Sequence, residues 1–152
     1  MHWKTIALVA CGVSLAPVAG LALLSALSRR PANLGVSNGR LAACPNSPNC
    51  VSTEAGSADH RMSPISFSGP DDEAFARIKT IVRSLPRTTI VAESGNYLHV
   101  EFASAVFRFV DDVEFLVDAE NRMIHFRSAS RAGHGDLGVN RRRMKAICDQ
   151  FQ

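Results

Sequence analysis

The distribution of apolar residues divides the chain into two parts of different character. Residues 5–27 run for 23 positions without a charged side chain, which is long enough for a helix to cross the hydrocarbon core of a bilayer. From residue 31 onward, apolar residues recur instead with the periods of amphipathic helices and strands. The pattern therefore predicts a folded domain behind an N-terminal apolar segment.

Two amphipathic helices are predicted in the domain. The first covers residues 71–85, where apolar residues recur at helical spacing between a Ser-Gly-Pro break and Pro86. The second begins at Leu137 or Val139 and runs to Phe151. The two apolar faces consist of Phe75, Ile78, Ile81, Val82 and Leu85 in the first helix and of Met144, Ile147, Cys148 and Phe151 in the second.

Between the helices, four segments alternate like β-strands, at residues 88–93, 97–103, 107–118 and 122–128. A Ser-Gly-Asn turn favours a hairpin between the first two. Asp111 interrupts an otherwise apolar row of the third strand. The whole pattern predicts a two-layer α+β sandwich, in which two helices pack on an antiparallel sheet of about four strands, behind an N-terminal transmembrane helix.

The apolar run has three interpretations that the sequence leaves open. We expect a retained membrane anchor, and the alternatives are a cleaved signal peptide and a lipoprotein signal that ends at Cys11. The chain then divides into an anchor or uncleaved signal at residues 1–30, a linker at 31–40 and a domain at 41–152. Arg29 and Arg30 follow the run directly, so the positive-inside rule leans slightly towards a cytoplasmic domain.

The net charge of +3 belongs to the N-terminal part and not to the domain. Three of the 17 Lys and Arg residues flank the apolar run, and the other 14 balance the 14 Asp and Glu residues, all of which follow residue 31. A nucleic-acid-binding domain would carry the basic excess itself. The charge distribution therefore gives no support for a nucleic-acid partner.

Cys44 and Cys50 enclose a short loop that contains two prolines. Prolines stiffen such a loop and bring its ends together, which favours a disulfide, although a pair of reduced thiols in a turn remains the alternative. A zinc site lacks ligands, since His60 is the nearest other candidate. A disulfide persists only in an oxidising compartment, so this loop favours a periplasmic or otherwise extracytoplasmic domain.

Residues 128–143 concentrate hydroxyls, glycines, an aspartate, an asparagine and arginines between the last strand and the last helix. Three segments together resemble the DUF1499 family, a domain of unknown function: Cys-Pro-Asn-Ser-Pro-Asn-Cys-Val-Ser at 44–52, Asp-Asp-Val-Glu-Phe at 111–115, and residues 127–141 of this region. The resemblance implies that the three segments belong to one domain, often behind an N-terminal apolar segment. It carries over no catalytic residue.

The same stretch has the residue types of an anion site. A helix N-terminus offers free N–H groups and partial positive charge, and arginines and hydroxyls around it would bind a carboxylate or phosphate. The candidate ligand-binding residues are Arg127, Ser128, Ser130, Arg131, Asp136, Asn140 and Arg141. Of these, Asp136 or Asn140 can also cap the helix.

Ion pairing within the domain is the competing interpretation of these arginines. The segment 111–120 holds five acidic residues and no basic one, whereas 127–145 holds six basic residues and one acidic. Arg131 or Arg141 would then pair with a carboxylate of the first segment or with Asp136. Arg142, Arg143 and Lys145 are expected on a solvated helix face, and His99 and His125 are expected to be ordinary strand residues.

These observations predict a membrane-anchored, extracytoplasmic binding or accessory domain, attached through residues 5–27. Its ligand would be a small anion or an acidic segment of a protein partner, bound at the loop 128–141. Two alternatives stay open, a small hydrolase or transferase that uses Ser130 or His134, and a structural subunit of a membrane complex. No motif indicates a metal or a cofactor.

Overall fold

The computed structural model describes residues 19–152 and builds them around one antiparallel sheet. The strands are β1 (Val36–Ser37), β2 (Arg40–Leu41), β3 (Cys50–Ser52), β4 (Ile65–Ser66), β5 (Thr88–Ser94), β6 (Tyr97–Ala103), β7 (Val110–Asp118) and β8 (Met123–Ser130). Residues 19–27 are helical, and two further helices follow, α1 (Asp71–Ser84) and α2 (Val139–Phe151).

The main sheet has six strands in the order β3-β8-β7-β6-β5, with β4 also paired to β8, and all of these pairs are antiparallel. The predicted α+β class and the four-strand meander β5 to β8 are confirmed. The expected number of strands was too small, because β3 and β4 have only three and two residues and show no alternation. The third predicted strand begins at Val110 and not at residue 107.

Both helices pack on one face of the sheet and form the hydrophobic core with it. The helices contribute Ile78, Ile81, Val82, Met144, Ile147 and Phe151, and the strands contribute Leu98, Val100, Val113, Phe115, Ile124 and Phe126. The predicted apolar faces of the helices are thus confirmed. Cys148 packs against this core half-buried, and burial raises the pKa of its thiol.

The opposite face of the sheet, which we call the back face, is covered by residues 30–45, the cover segment. Within it, β1 and β2 form a small hairpin. The Gly35 amide donates a hydrogen bond of 2.7 Å to Glu114 on β7, and the Leu41 amide donates one of 2.9 Å to Glu54. The segment 31–40, expected to be a linker, is therefore joined to the sheet by the hydrogen bond from the Gly35 amide to the Glu114 side chain.

The Cys44–Cys50 disulfide is present, with a distance of 5.7 Å between the Cα atoms. Cys50 begins β3 and is buried, whereas Cys44 lies at the end of the cover segment. The bond thus joins the cover segment to the edge of the sheet. This confirms the pairing predicted from the loop.

The predicted transmembrane helix falls largely on residues 1–18, which lie outside the described part of the chain. Within residues 19–152, no helix has both the length and the apolar character needed to cross a membrane.

Reduction of the disulfide should lower the free energy of unfolding by about 2 kcal/mol, the chain-entropy value for closing a loop of this size. Urea unfolding of the full chain with and without reductant measures the difference, and non-reducing mass spectrometry of the native protein verifies the bond. A Cys148→Ser chain is the control and should respond to reductant like the parent. Equal stability with and without reductant would contradict the expectation.

Candidate functional site

Strand β8 separates the predicted site residues onto the two faces of the sheet. Its register places Arg127 opposite Glu114 on β7, and Ser128 opposite Val113. Since side chains alternate along a strand, Arg127 points to the back face whereas Ser128 points to the helices. The predicted residues therefore belong to two polar clusters and not to one.

The first cluster lies on the back face and centres on Arg131. Its Nε and Nη2 atoms donate hydrogen bonds to the two carboxylate oxygens of Asp112, at 2.8 and 2.6 Å, and Nη2 also bonds to Glu101. His99 Nε2 lies 2.7 Å from the same aspartate. Arg30 of the cover segment reaches Glu101 at 2.6 Å. The ion-pair interpretation is thus confirmed for Arg131.

Glu114 holds the second half of the back-face cluster. The Tyr97 hydroxyl donates to it at 2.9 Å and Arg127 Nη1 donates at 3.1 Å. Together with the bond from Gly35, three donors satisfy a carboxylate that is completely buried. We use the name back-face cluster for Arg30, Tyr97, His99, Glu101, Asp112, Glu114, Arg127 and Arg131.

The surroundings shift the pKa values in this cluster in opposite directions. Burial is the largest single effect on Asp112 and would raise its pKa, but the hydrogen bonds from Arg131 and His99 outweigh it and lower the pKa below its ordinary value. The pKa of Glu101 is lowered in the same way, by Arg131 and Arg30 against burial. Burial and the neighbouring Glu114 raise the pKa of Tyr97.

Three residues of the cluster have the spacing of metal ligands. His99, Glu101 and Asp112 place one ligand atom each within 4.8 Å of one another. However, the guanidinium of Arg131 bonds to both carboxylates and supplies the positive charge that a metal ion would bring. We therefore treat the group as an ion-pair network.

The second cluster lies on the helix face and centres on Asn140, in the first turn of α2. Its Nδ2 donates to the Asn49 carbonyl and to Ser130 Oγ, both at 3.0 Å, and its Oδ1 accepts from the Ser128 hydroxyl and from Arg143. Asn49 in turn donates to the Gly133 carbonyl at 2.6 Å. We call Asn49, Ser128, Ser130, Asn140 and Arg143 the asparagine network.

Asp136 occupies the N-terminus of α2. Its two carboxylate oxygens accept hydrogen bonds from the backbone amides of Gly138 and Asn140, at 2.9 and 2.7 Å. These bonds lower the pKa of Asp136 although burial would raise it. Gly138 precedes the helix with φ +75°, a conformation that favours glycine. The helix start therefore already holds a carboxylate of its own chain.

Two arginines of α2 differ from expectation. Arg143 does not lie on a solvated face, because its guanidinium pairs with Asp111 and stacks 4.7 Å from the centroid of the Phe102 ring. Arg141 is exposed and donates to the carbonyl oxygens of Asp59 and Arg61. It thus lies outside both clusters, whereas Arg142 and Lys145 are exposed as expected.

The three sequence segments that suggested a family thus meet in these clusters. Asn49 comes from the cysteine loop, Asp111 and Asp112 from β7, and Arg131 and Asn140 from the loop 128–141 and α2. The family model described as "Protein of unknown function (DUF1499)" matches residues 40–151. The chain belongs to the DUF1499 family. A search of curated proteins found no match.

In this DUF1499 domain, a cavity of about 280 Å³ lies between the cover segment and the back face. Its wall consists of Pro31, Asn33, Ala43, Cys44, Pro45, Asp112, Arg127, Ala129, Ser130 and Arg131. The Arg127 side chain is 95% buried, and its Nε has no hydrogen-bond partner within residues 19–152. A buried donor without an acceptor costs about 1–3 kcal/mol, and this donor belongs to a residue of the cavity wall.

Sequence reasoning missed Asn49, His99, Glu101 and Arg143 as members of the clusters. A signal for His99 and Glu101 was available in the predicted strand order, since pairing β6 with β7 places them opposite Glu114 and Asp112. No comparable signal exists for Asn49, which reaches Asn140 across 91 residues of sequence.

Within residues 19–152, Ser130 and His134, the residues proposed for a hydrolase, do not contact each other as a catalytic pair would. Ser130 Oγ accepts from the Asn140 amide, and no hydrogen bond joins it to His134. His134 is exposed in the loop before α2. Ser130 is thus a structural acceptor of the asparagine network.

Asn140→Asp should destabilise the domain by about 3 kcal/mol. The substitution keeps the size of the side chain but turns a buried donor into an acceptor that faces the Asn49 carbonyl and Ser130 Oγ. Urea unfolding of the full chain measures the change. Asn46→Asp, at an exposed position of the cysteine loop, is the matched control and should change stability little.

Arg131→Gln should destabilise the domain at pH 7 by about 3–5 kcal/mol, because it leaves the buried Asp112 charge without its main partner. It should also weaken the destabilising effect of acid. In the parent, the lowered pKa values of Asp112 and Glu101 contribute stability above the ordinary values of 3.8 and 4.5, and this is lost as the pH falls through the lower folded values. In the variant, protonation of Asp112 removes an unpaired charge, so acid should become less destabilising.

Unfolding between pH 3 and pH 8 measures this difference in slope. Lys145→Gln removes an exposed ion pair with Asp149 and should leave both stability and slope nearly unchanged. Parallel pH profiles for Arg131→Gln and the parent would show that Arg131 does not set the charge state of Asp112.

Proposed function

We propose that this chain is a membrane-anchored, extracytoplasmic binding or accessory domain that takes a small anion in the cavity beneath the cover segment. The ligand class is a carboxylate or a tetrahedral oxyanion such as phosphate. The site includes Arg127, Ser130 and Arg131 of the originally predicted set, and it adds Asn33 from the cover segment.

The unpartnered Nε of Arg127 carries the proposal. Arg127 lines the cavity, and its Nη1 is already engaged by Glu114 at 3.1 Å. A guanidinium N–H is a strong donor to carboxylate and phosphate oxygens, and such charge-assisted bonds are about twice as strong as neutral ones. Because Nε has less than 1 Å² of accessible surface, an anion in the cavity would supply the missing acceptor once the Arg127 side chain shifts towards it.

The remaining wall suits a small anion. Asn33 brings a side-chain amide to the wall. The Arg131 guanidinium also lies there, paired with Asp112 and Glu101, whereas the Ser130 hydroxyl is bonded to Asn140 on the helix face. Asp112 also lines the cavity, but its two oxygens are engaged by Arg131 and His99. The volume of about 280 Å³ admits a ligand of several heavy atoms.

The helix start of α2 is a weaker candidate for the same ligand. Asp136 accepts hydrogen bonds from the amides of Gly138 and Asn140, so an incoming anion would have to displace a covalently attached carboxylate. Arg141 points away to the carbonyls of Asp59 and Arg61. We therefore place the anion at Arg127 of β8 and at Arg131, which directly follows β8.

Two observations support the cellular location in the proposal. The disulfide closes a loop beside the cavity, and such bonds persist in oxidising compartments. The uncharged run at residues 5–27 has the length of a membrane span.

Titration of the full chain with phosphate, sulfate, acetate and succinate should give a saturable shift of the Arg127 Nε–H signal in NMR spectra for at least one of these anions. Arg127→Lys assigns the signal by its loss and should weaken binding about tenfold, the effect of one lost charge-assisted hydrogen bond. Calorimetry measures the affinity.

Arg141→Gln is the control and should bind like the parent, since Arg141 lies outside the cavity. Asn33→Asp provides a second test at an exposed position, because a negative charge in the wall should weaken anion binding without loss of a core contact. Binding that is equal in the Arg127→Lys, Asn33→Asp and Arg141→Gln chains, or absent for all four anions, would refute the proposal.

A further inference from the structure

One end of the sheet gathers exposed apolar side chains that the fold does not use. This end contains the β6–β7 loop and the loop between β8 and α2, and Val106, Leu137 and Val139 protrude there. Leu137 is 93% exposed and Val106 is 77% exposed. Leu137 also has a φ of +54°, a conformation that non-glycine residues seldom adopt. Together they form what we call the apolar end.

The apolar N-terminal segment arrives at this same end. Leu21 and Leu24, in the helical residues 19–27, line a cavity of about 320 Å³ together with Phe109 and Val139. The exposed leucines of the helical residues therefore continue the surface that the two loops begin. The described part of the uncharged run, residues 19–27, thus lies against the apolar end.

The charges around the apolar end are basic. Arg87, Arg108 and Arg142 are exposed there, and none of them forms an ion pair with a carboxylate among the described residues. The nearby carboxylates of Asp111 and Asp136 are engaged, by Arg143 and by backbone amides. The positive charge at this end is therefore not cancelled locally.

The other end of the sheet has the opposite character. It contains the β7–β8 turn and the first turn of α1. Its acidic residues are Asp71, Asp72, Glu73, Glu93, Asp118 and Glu120, and they exceed its basic residues, which are Arg77, Arg122 and Lys79, the last paired with Glu93. The domain is thus polarised along its strands, basic and apolar at one end and acidic at the other. A bilayer with anionic lipid attracts the first end and repels the second.

We propose that the apolar end rests on the surface of an anionic bilayer, with Val106 and Leu137 inserted at the level of the headgroups and the arginines on lipid phosphates. Exposed apolar side chains surrounded by basic residues are the surface that interfacial binding requires. The inference rests on the membrane location in the proposed function, and it adds which face of the domain contacts the lipid. It does not depend on anion binding in the cavity.

Tryptophan fluorescence of the full chain in vesicles tests this contact. The single tryptophan is first removed by Trp3→Phe, and Leu137→Trp or Val106→Trp then places one reporter at the apolar end. Glu120→Trp, exposed at the acidic end, is the matched control. In vesicles that contain phosphatidylglycerol and brominated phosphatidylcholine, the first two variants should show blue-shifted emission and strong quenching, whereas Glu120→Trp should show neither.

Flotation of each chain with the vesicles separates the inference from the proposed anchor. A chain that does not float overturns both. A chain that floats while Leu137→Trp and Val106→Trp are as little quenched as Glu120→Trp overturns the lipid contact and leaves the anchor standing. Reporters that are shielded from aqueous iodide but not quenched by brominated lipid show that protein covers the apolar end, which also overturns the inference.

Discussion

Asn140 holds together three parts of the chain that sheet pairing and hydrophobic packing alone do not fix. Its amide donates to the cysteine loop at Asn49 and to the end of β8 at Ser130, while its own backbone begins α2. A buried amide has several groups to satisfy, so few arrangements of the three parts are compatible with it. This constraint sets the position of α2 relative to the core. It also sets the position of the cavity wall that follows Ser130.

The back-face cluster imposes a second constraint of a different kind. Three arginines and three carboxylates balance one another there, on a sheet face that would otherwise be covered by apolar side chains. Buried ion pairs contribute little net stability, but removing one partner is costly. The cluster therefore acts chiefly on specificity, because the cover segment must bring Arg30 and Gly35 to Glu101 and Glu114. The cavity is the space left between this segment and the sheet.

The sequence predicted the elements better than the clusters, for a physical reason. Periodicity reports which face of an element is apolar, and it located α1, α2 and the β5–β8 meander within a few residues. It also indicated that acids near residue 111 and arginines near 131 would pair. Without the strand register, periodicity could not assign Arg127 and Ser128 to opposite faces of the sheet. It also could not find strands as short as β3 and β4. Arg143 was misplaced because the partner that buries it, Asp111, lies on another element.

The reach of the asparagine network has a consequence for the order of folding. The meander pairs strands that are neighbours in sequence, so its loops close at low entropic cost. The bond between Asn49 and Asn140, by contrast, spans 91 residues. During synthesis, the cysteine loop emerges long before α2 and has to wait for it. The Cys44–Cys50 disulfide restricts the loop that carries Asn49, so less conformational entropy is lost when Asn140 docks on it.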